Sequence, residues 1–194
     1  YDSNRILVTG GSGFIGISFI LKILRETNSE IFNLDKIENF NIDKIIKNEN
    51  ILSNRYKFLK ANLLNEEDLK KIFSLVNPDF IFHLAAETHV DISIKQPKIF
   101  LESNIVGTFN LLNITLRYFE KLNDEKKSTF RFHHISTDEV FGSLGKEGSF
   151  NEETPYAPRS PYSSSKAASD HLVRAWNETY KLPTVITNCS NNFG

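Results

Sequence analysis

Thr9-Gly10-Gly11-Ser12-Gly13-Phe14-Ile15-Gly16 is the stretch that decides the fold. It follows the short apolar run Ile6-Leu7-Val8 and opens Phe14 to Leu24, where apolar residues recur at helical spacing. Gly10, Gly13 and Gly16 are spaced by three. At a strand-to-helix junction, that spacing provides a tight turn, a backbone that pyrophosphate can approach, and close helix–sheet contact. The N–H groups of the new helix end, at Phe14 and Ile15, then face the phosphates. Asp35 closes the next apolar run, Ile31-Phe32-Asn33-Leu34. An acid there accepts hydrogen bonds from an adenosine ribose and repels a 2′-phosphate, which favours NAD over NADP. Lys36 is a further candidate at that rim, against the plainer reading of a solvated lysine.

Working outward, short apolar runs keep alternating with amphipathic stretches. Tyr56–Leu59, Phe80–Leu84, Phe130–Ile135 and Thr184–Thr187 read as strands. Glu66–Leu75, Ile99–Leu122 and Tyr162–Tyr180 read as helices. This alternation predicts an α/β fold with a doubly wound, Rossmann-like parallel sheet, helices on both faces and right-handed crossovers. Asn62 and Leu63 follow the third strand, and the Asn62 side chain can meet an adenine edge. Leu84, Ala85 and Ala86 close the fourth, where small residues let backbone lie against a cofactor or simply pack. The Gly-, Pro- and Ser-rich loop from Phe141 to Pro161 leaves the carboxyl end of a strand, where open α/β sheets bind ligands.

Composition excludes several classes. With 194 residues, 23 Lys+Arg against 24 Asp+Glu and a net charge of −1, the chain lacks the basic excess of a nucleic-acid binder. One cysteine, Cys189, excludes an internal disulfide and a multi-Cys zinc site. The five histidines show no metal spacing. Charges interrupt the apolar runs short of a membrane span, and residues 1–10 carry no secretory pattern. The expectation is a cytoplasmic protein with no metal. Tyr1 and the lack of Met mark a processed, trimmed or fragment start.

Candidate catalytic groups gather after the fifth strand. Tyr162 and Lys166, four residues apart, share one helix face. A tyrosine is a poor base at neutral pH. A nearby ammonium and a positive nicotinamide ring stabilise the phenolate, and the lysine can also hold the nicotinamide ribose. Thr137 offers a hydroxyl to orient a substrate oxygen, and the adjacent acids Asp138 and Glu139 offer an acid and a base together. His83 and His133 read as satisfied strand histidines, Trp176 as core or interface, and Cys189 as no nucleophile.

Together these segments resemble the extended short-chain dehydrogenase/reductase family, and within it the nucleotide-sugar 4,6-dehydratases. The resemblance is carried by Thr9–Gly16, Leu84–Asp91, Ser136–Gly142, Ser160–Asp170 and Thr187–Gly194, in family order along the whole chain. It implies NAD as cofactor and a nucleotide-activated hexose, dTDP-glucose, as substrate. It implies oxidation at C4 with Tyr162 as base, assisted by Thr137 and Lys166. Elimination of water across C5 and C6 follows, by Glu139 as base and Asp138 as acid, and then reduction at C6. Thr88, Asn191 and Asn192 are implied contacts to substrate or cofactor, and Ser103 to the cofactor. A homodimer is implied through the helices near 99–122 and 162–180. Three positions depart from the family pattern: Ile92 where Arg is usual, Asn62 where Asp is usual, and Lys36–Phe40 in place of a Thr-Tyr pair. Family members continue well beyond the Asn-Asn-Phe-Gly segment, so residues 1–194 are expected to form the NAD-binding, chemistry-bearing domain without the C-terminal substrate domain. The alternatives are a dehydratase of UDP-, CDP- or GDP-sugars, or a non-catalytic NAD-binding module.

Overall fold

In a computed structural model of the chain, residues 3–49, 53–145 and 147–193 are described. Gly194, the last residue of the Asn-Asn-Phe-Gly segment, lies outside them. Among the described residues, six strands form one sheet: β1 (Arg5–Thr9), β2 (Glu30–Asp35), β3 (Tyr56–Lys60), β4 (Phe80–His83), β5 (Arg131–Thr137) and β6 (Thr184–Cys189). Their order is β3-β2-β1-β4-β5-β6, and every pairing is parallel. The chain reverses its direction of sheet growth between β1 and β4. That switch point is where such sheets open a crevice.

The helices are α1 (Phe14–Glu26), α2 (Phe40–Asn48), α3 (Glu66–Val76), α4 (Val90–Lys95), α5 (Pro97–Phe100), α6 (Gly107–Phe119), α7 (Asp124–Thr129) and α8 (Pro161–Tyr180). α2, α4 and α7 are additions to the sequence reading; α4 and α7 are only six residues each, while α2 carries Ile42, Ile45 and Ile46 at helical spacing, a signal the reading passed over. The expected helix over 99–122 instead spans Pro97–Phe119, because one π-helical stretch, Leu101–Val106, joins α5 to α6. By length and composition that helix could cross a membrane, but half of its most apolar stretch is buried in the fold.

Strand alternation sorts the core into two layers. Ile6, Val8 and Ile31 face Ile20, Leu21 and Leu24 of α1 and Ile42 and Ile46 of α2. Leu7, Phe32, Leu34, Ile81 and Phe132 face the other way, against Leu69, Phe73, Leu111, Leu112 and Val173 from α3, α6 and α8. Each such side chain contributes about 1.5–3 kcal/mol by leaving water. The expected cover on both faces is incomplete over β5 and β6. His133 and Ile135 are half-buried there, and Val185 is 42% exposed. The crossovers from β4 to β5 and from β5 to β6 run on the opposite face, so no described helix reaches this one.

Two helix ends position the site. α1 begins at Gly13, which caps it without a side chain. α8 begins with a capping box: Ser160 Oγ accepts the Ser163 N–H at 3.0 Å, and Ser163 Oγ accepts the Ser160 N–H at 3.0 Å. Pro161 sits in the first turn, where a missing N–H costs nothing. Tyr162 therefore stands on a well-determined first turn.

Candidate active site

The glycine loop is shaped by close approach. Gly10 has φ +72°, and a Cβ there would lie 2.5 Å from the Ala85 backbone nitrogen. A Cβ on Gly16 would lie 2.4 Å from the Gly10 carbonyl oxygen, so α1 packs directly on the turn. Gly13 differs: its Cβ would meet only the Gly10 oxygen, at 3.3 Å. Internal packing therefore gives little reason for glycine at 13, while a group lying over the α1 N-terminus gives a strong one. Phe14 and Ile15 flank that end at 57% and 39% exposure, and the first turn carries no acid.

Asp35 meets the loop from β2. One carboxylate oxygen accepts the Ser12 N–H at 3.1 Å and the other the Ile37 N–H at 3.3 Å. Both oxygens keep lone pairs for further donors. A cleft of about 210 Å³ opens beside it, lined in part by Asp35, Lys36, Asn62, Leu63, Ala85 and Ser103. Six of the expected cofactor contacts, from three strand ends and the π-helical stretch, thus share one cavity. Lys36 pairs with Glu87 at 3.1 Å across its rim. Asn62 Oδ1 accepts the Leu64 N–H at 3.0 Å, while its amide NH₂ has no hydrogen-bond partner among the described residues. Leu84 and Ala85 run against β1, with the Leu84 N–H donating to the Thr9 carbonyl at 3.0 Å. Thr88 is exposed, as are Asn191 and Asn192 beyond β6, so the described residues do not enclose these three. Ile92, at the first turn of α4, is 44% exposed.

Asn104 was not singled out by the sequence. It sits in the π-helical stretch, is buried, accepts the Glu87 N–H at 2.8 Å, and donates to the Glu87 carbonyl at 3.0 Å and to Ser165 Oγ at 2.9 Å. It clamps the segment after β4 to α8. A polar residue on the buried face of an amphipathic helix was the only sequence signal for it. π-helical turns recur at functional positions.

Thr137 ends β5, and its Oγ1 accepts the Glu139 N–H at 3.3 Å, capping a short 3₁₀ turn over Asp138–Phe141. Asp138 and Glu139 are both half-buried in this turn. Burial, and then the Asp138 charge, raise the Glu139 pKa. Tyr162 is 8% exposed, with Thr137 and both acids near enough to shift its titration. Lys166 is buried, and its Nζ donates to the Ile135 carbonyl at 2.8 Å.

One expectation is corrected here. The Lys166 ammonium and a positive nicotinamide ring were expected together to pull the Tyr162 phenol down, and among the protein groups alone the phenol is not pulled down. Instead burial raises the phenol above its ordinary value; the Thr137 hydroxyl opposes this, and Glu139, Asp138 and Asp170 add to it. The ammonium is aimed at the Ile135 carbonyl instead, at 2.8 Å. Its own pKa falls to about 8, because burial disfavours the charge more than Asp170 and Cys189 favour it.

The loop after the 3₁₀ turn is pinned. The Ala157 N–H donates to the Val140 carbonyl at 2.9 Å, and the Phe141 ring centre lies 5.2 Å from that of Phe150, tilted, and 5.2 Å from that of Tyr156, edge to face. His83 is satisfied as expected, with Thr9 Oγ1 at 2.7 Å and Thr108 Oγ1 at 2.9 Å. Among the described residues no cluster of three or more His, Cys, Asp or Glu could hold a metal.

Comparison with known proteins agrees with this geometry. The dTDP-glucose 4,6-dehydratase of Salmonella typhimurium is 48% identical over 200 residues, covering 98% of this chain and 55% of its own length. The crystal structure of dTDP-glucose 4,6-dehydratase from Bacillus anthracis with NAD superposes with TM-score 0.81 at 39% identity, covering 99% of this chain and 56% of that one. A Streptomyces venezuelae dTDP-glucose 4,6-dehydratase, solved with NAD bound, gives 0.84 at 36% identity, with 98% and 56% covered. The chain spans about half the length of the curated relatives it matches. The family model described as GDP-mannose 4,6 dehydratase matches residues 7–194, and the chain belongs to that family.

Proposed function

We propose that residues 1–194 are the NAD-binding, catalytic half of a dTDP-glucose 4,6-dehydratase, which converts dTDP-glucose to dTDP-4-keto-6-deoxyglucose by a redox-neutral elimination of water. The observation that carries it is the meeting of Thr137-Asp138-Glu139 with Tyr162 and Lys166 at the carboxyl edge of the sheet, beside a glycine loop and its cleft.

The residues present fit NAD. Gly13 leaves room over the α1 N-terminus, and Asp35 stands at the rim of a cleft with Asn62, Leu63 and Ser103 along it. Asp35 disfavours a 2′-phosphate there. When bound, NAD supplies a hydride acceptor at C4 of the hexose and a hydride donor at C6. Tyr162 takes the proton from the C4 hydroxyl, and the Thr137 hydroxyl steadies the same oxygen. Lys166 holds positive charge behind Tyr162 and reaches the nicotinamide ribose. Once C4 is a ketone, the proton at C5 is acidic, and Glu139 removes it. Burial, and then the Asp138 charge, raise its pKa, which makes its carboxylate a stronger base. Asp138 delivers a proton to the departing C6 hydroxyl. Thr88 and Asn191 contact the substrate and Asn192 the cofactor, as the chain continues beyond β6. Nucleotide sugars are charged and do not cross membranes, so a cytoplasmic location follows. Ile94, Leu101, Phe109 and Tyr180, each at least 38% exposed on or beside the two long helices, supply an apolar face for a homodimer.

The test is product formation by the full-length protein. dTDP-glucose should yield a 4-keto-6-deoxy sugar nucleotide, and Tyr162→Phe and Glu139→Gln should each slow its formation by about 10²-fold or more. A product from UDP-, CDP- or GDP-glucose alone would reassign the base. NAD binding with no turnover on any of these would leave the non-catalytic module.

A further inference from the structure

We propose that Asp170 is a positioning residue for this site: a buried carboxylate that balances the Lys166 ammonium and docks the catalytic face of α8 onto β5. The proposal rests on the dehydratase reading above and assigns a residue that none of its steps uses.

Tyr162, Lys166 and Asp170 follow at intervals of four, so one face of α8 carries all three. That face lands on three consecutive residues of β5. Lys166 Nζ donates to the Ile135 carbonyl at 2.8 Å, the Ser136 hydroxyl donates to Asp170 Oδ2 at 2.8 Å, and His134 Nε2 lies 3.1 Å from Asp170 Oδ1. The Tyr156 hydroxyl, from the loop after Gly142, also donates to Oδ2 at 2.9 Å, and Asn188 Nδ2 on β6 is 3.5 Å away. Arg174 lies over the Tyr156 ring at 4.9 Å and donates to its oxygen at 3.1 Å. Strand, helix and loop therefore meet on one carboxylate that is 0% exposed.

The donors all meet Oδ2, while Oδ1 faces His134 without a hydrogen bond, and a buried carboxylate so placed needs a charge partner. The groups facing Lys166 are His83 on β4, His134 on β5, Cys189 on β6 and Asp170 on its own helix. Burial holds His134 down to about 4 and His83 well below its ordinary value, so both imidazoles are neutral at pH 7. The Tyr156 phenol is held up at about 12, first by burial and then by Asp170, and stays a neutral donor. Among the described residues, Asp170 is thus the anion that offsets the buried ammonium. Without it, the larger of the two influences that oppose burial at Lys166 is gone, and the lysine loses its proton at a lower pH.

The experiment uses the full-length protein with NAD. In Asp170→Asn the alkaline limb of the turnover–pH profile, set by the charged lysine, moves down by about one pH unit, and Asp170→Glu restores it. An unmoved limb in an active Asn variant overturns the proposal. A wild-type measurement covers the case in which the Asn variant does not fold. The Asp170 carboxyl carbon, followed by NMR, shows a step at the titration midpoint of the Lys166 side-chain nitrogen, and a flat carboxyl signal through that midpoint overturns the proposal. Absence of dehydratase product from the wild type would count against the function alone, since the NMR titration needs no turnover.

Discussion

The two halves of the site are made of different materials. At the α1 end, the chain works by leaving side chains out: Gly10 and Gly16 allow backbone contacts that a Cβ would forbid, and Gly13 leaves the helix end open. At the α8 end it works by burying charge: Lys166 and Asp170 are buried together, with two neutral histidines beside them. Steric requirements are local and all-or-none. Electrostatic ones depend on every element packed around the group. The first half should therefore break through stability and binding, and the second through turnover and pH.

The largest expected effect is on the charged side. Tyr162→Phe in the full-length protein should lower turnover by about 10²–10⁴-fold, the usual value of a positioned acid–base group, with NAD affinity unchanged. Retained turnover would remove the phenol from the mechanism. On the steric side, Gly10→Ala forces a Cβ into the Ala85 backbone at φ +72° and should cost about 3 kcal/mol, read as a fall in the unfolding midpoint. A variant as stable as wild type would show that β1 and the segment after β4 can separate.

Acid should expose the buried histidines. His134 titrates at about 4 in the folded chain against an ordinary 6.5, and His83 is also lowered. The unfolded chain binds more protons in that window, so stability rises with pH through it and is lost as pH falls from 6.5 toward 4. The expected loss is about 2–3 kcal/mol, measured by denaturant titration at a series of pH values. A flat profile would mean that the histidines are accessible.

Gly13→Ala sharpens the contrast between the halves. Its Cβ meets only one oxygen, at 3.3 Å, so stability should change by less than about 1 kcal/mol while NAD binding weakens about tenfold. Equal losses in both would make Gly13 a packing residue. The smallest effect belongs to the rim: Lys36→Gln removes an ion pair with Glu87 whose partners are 48% and 34% exposed, and should shift stability by no more than about 0.5 kcal/mol.

Much of this was legible in the chain itself. The glycine spacing, the acid at the end of β2 and the strand–helix alternation determined the parallel sheet and the cofactor side, because those features depend on backbone geometry and on periodicities that a linear sequence carries. Tyr162 and Lys166 were legible for the same reason, since a spacing of four puts them on one helix face whatever surrounds it. Tertiary structure alone decided the rest. The π-helical turn that presents Asn104, the aim of Lys166 at the Ile135 carbonyl rather than at the phenol, and the gathering of Ser136, His134 and Tyr156 on Asp170 join residues far apart in sequence. The direction of the Tyr162 shift belongs with them. A pKa is set by burial and by every nearby charge, and neither is a property of neighbouring letters in a sequence.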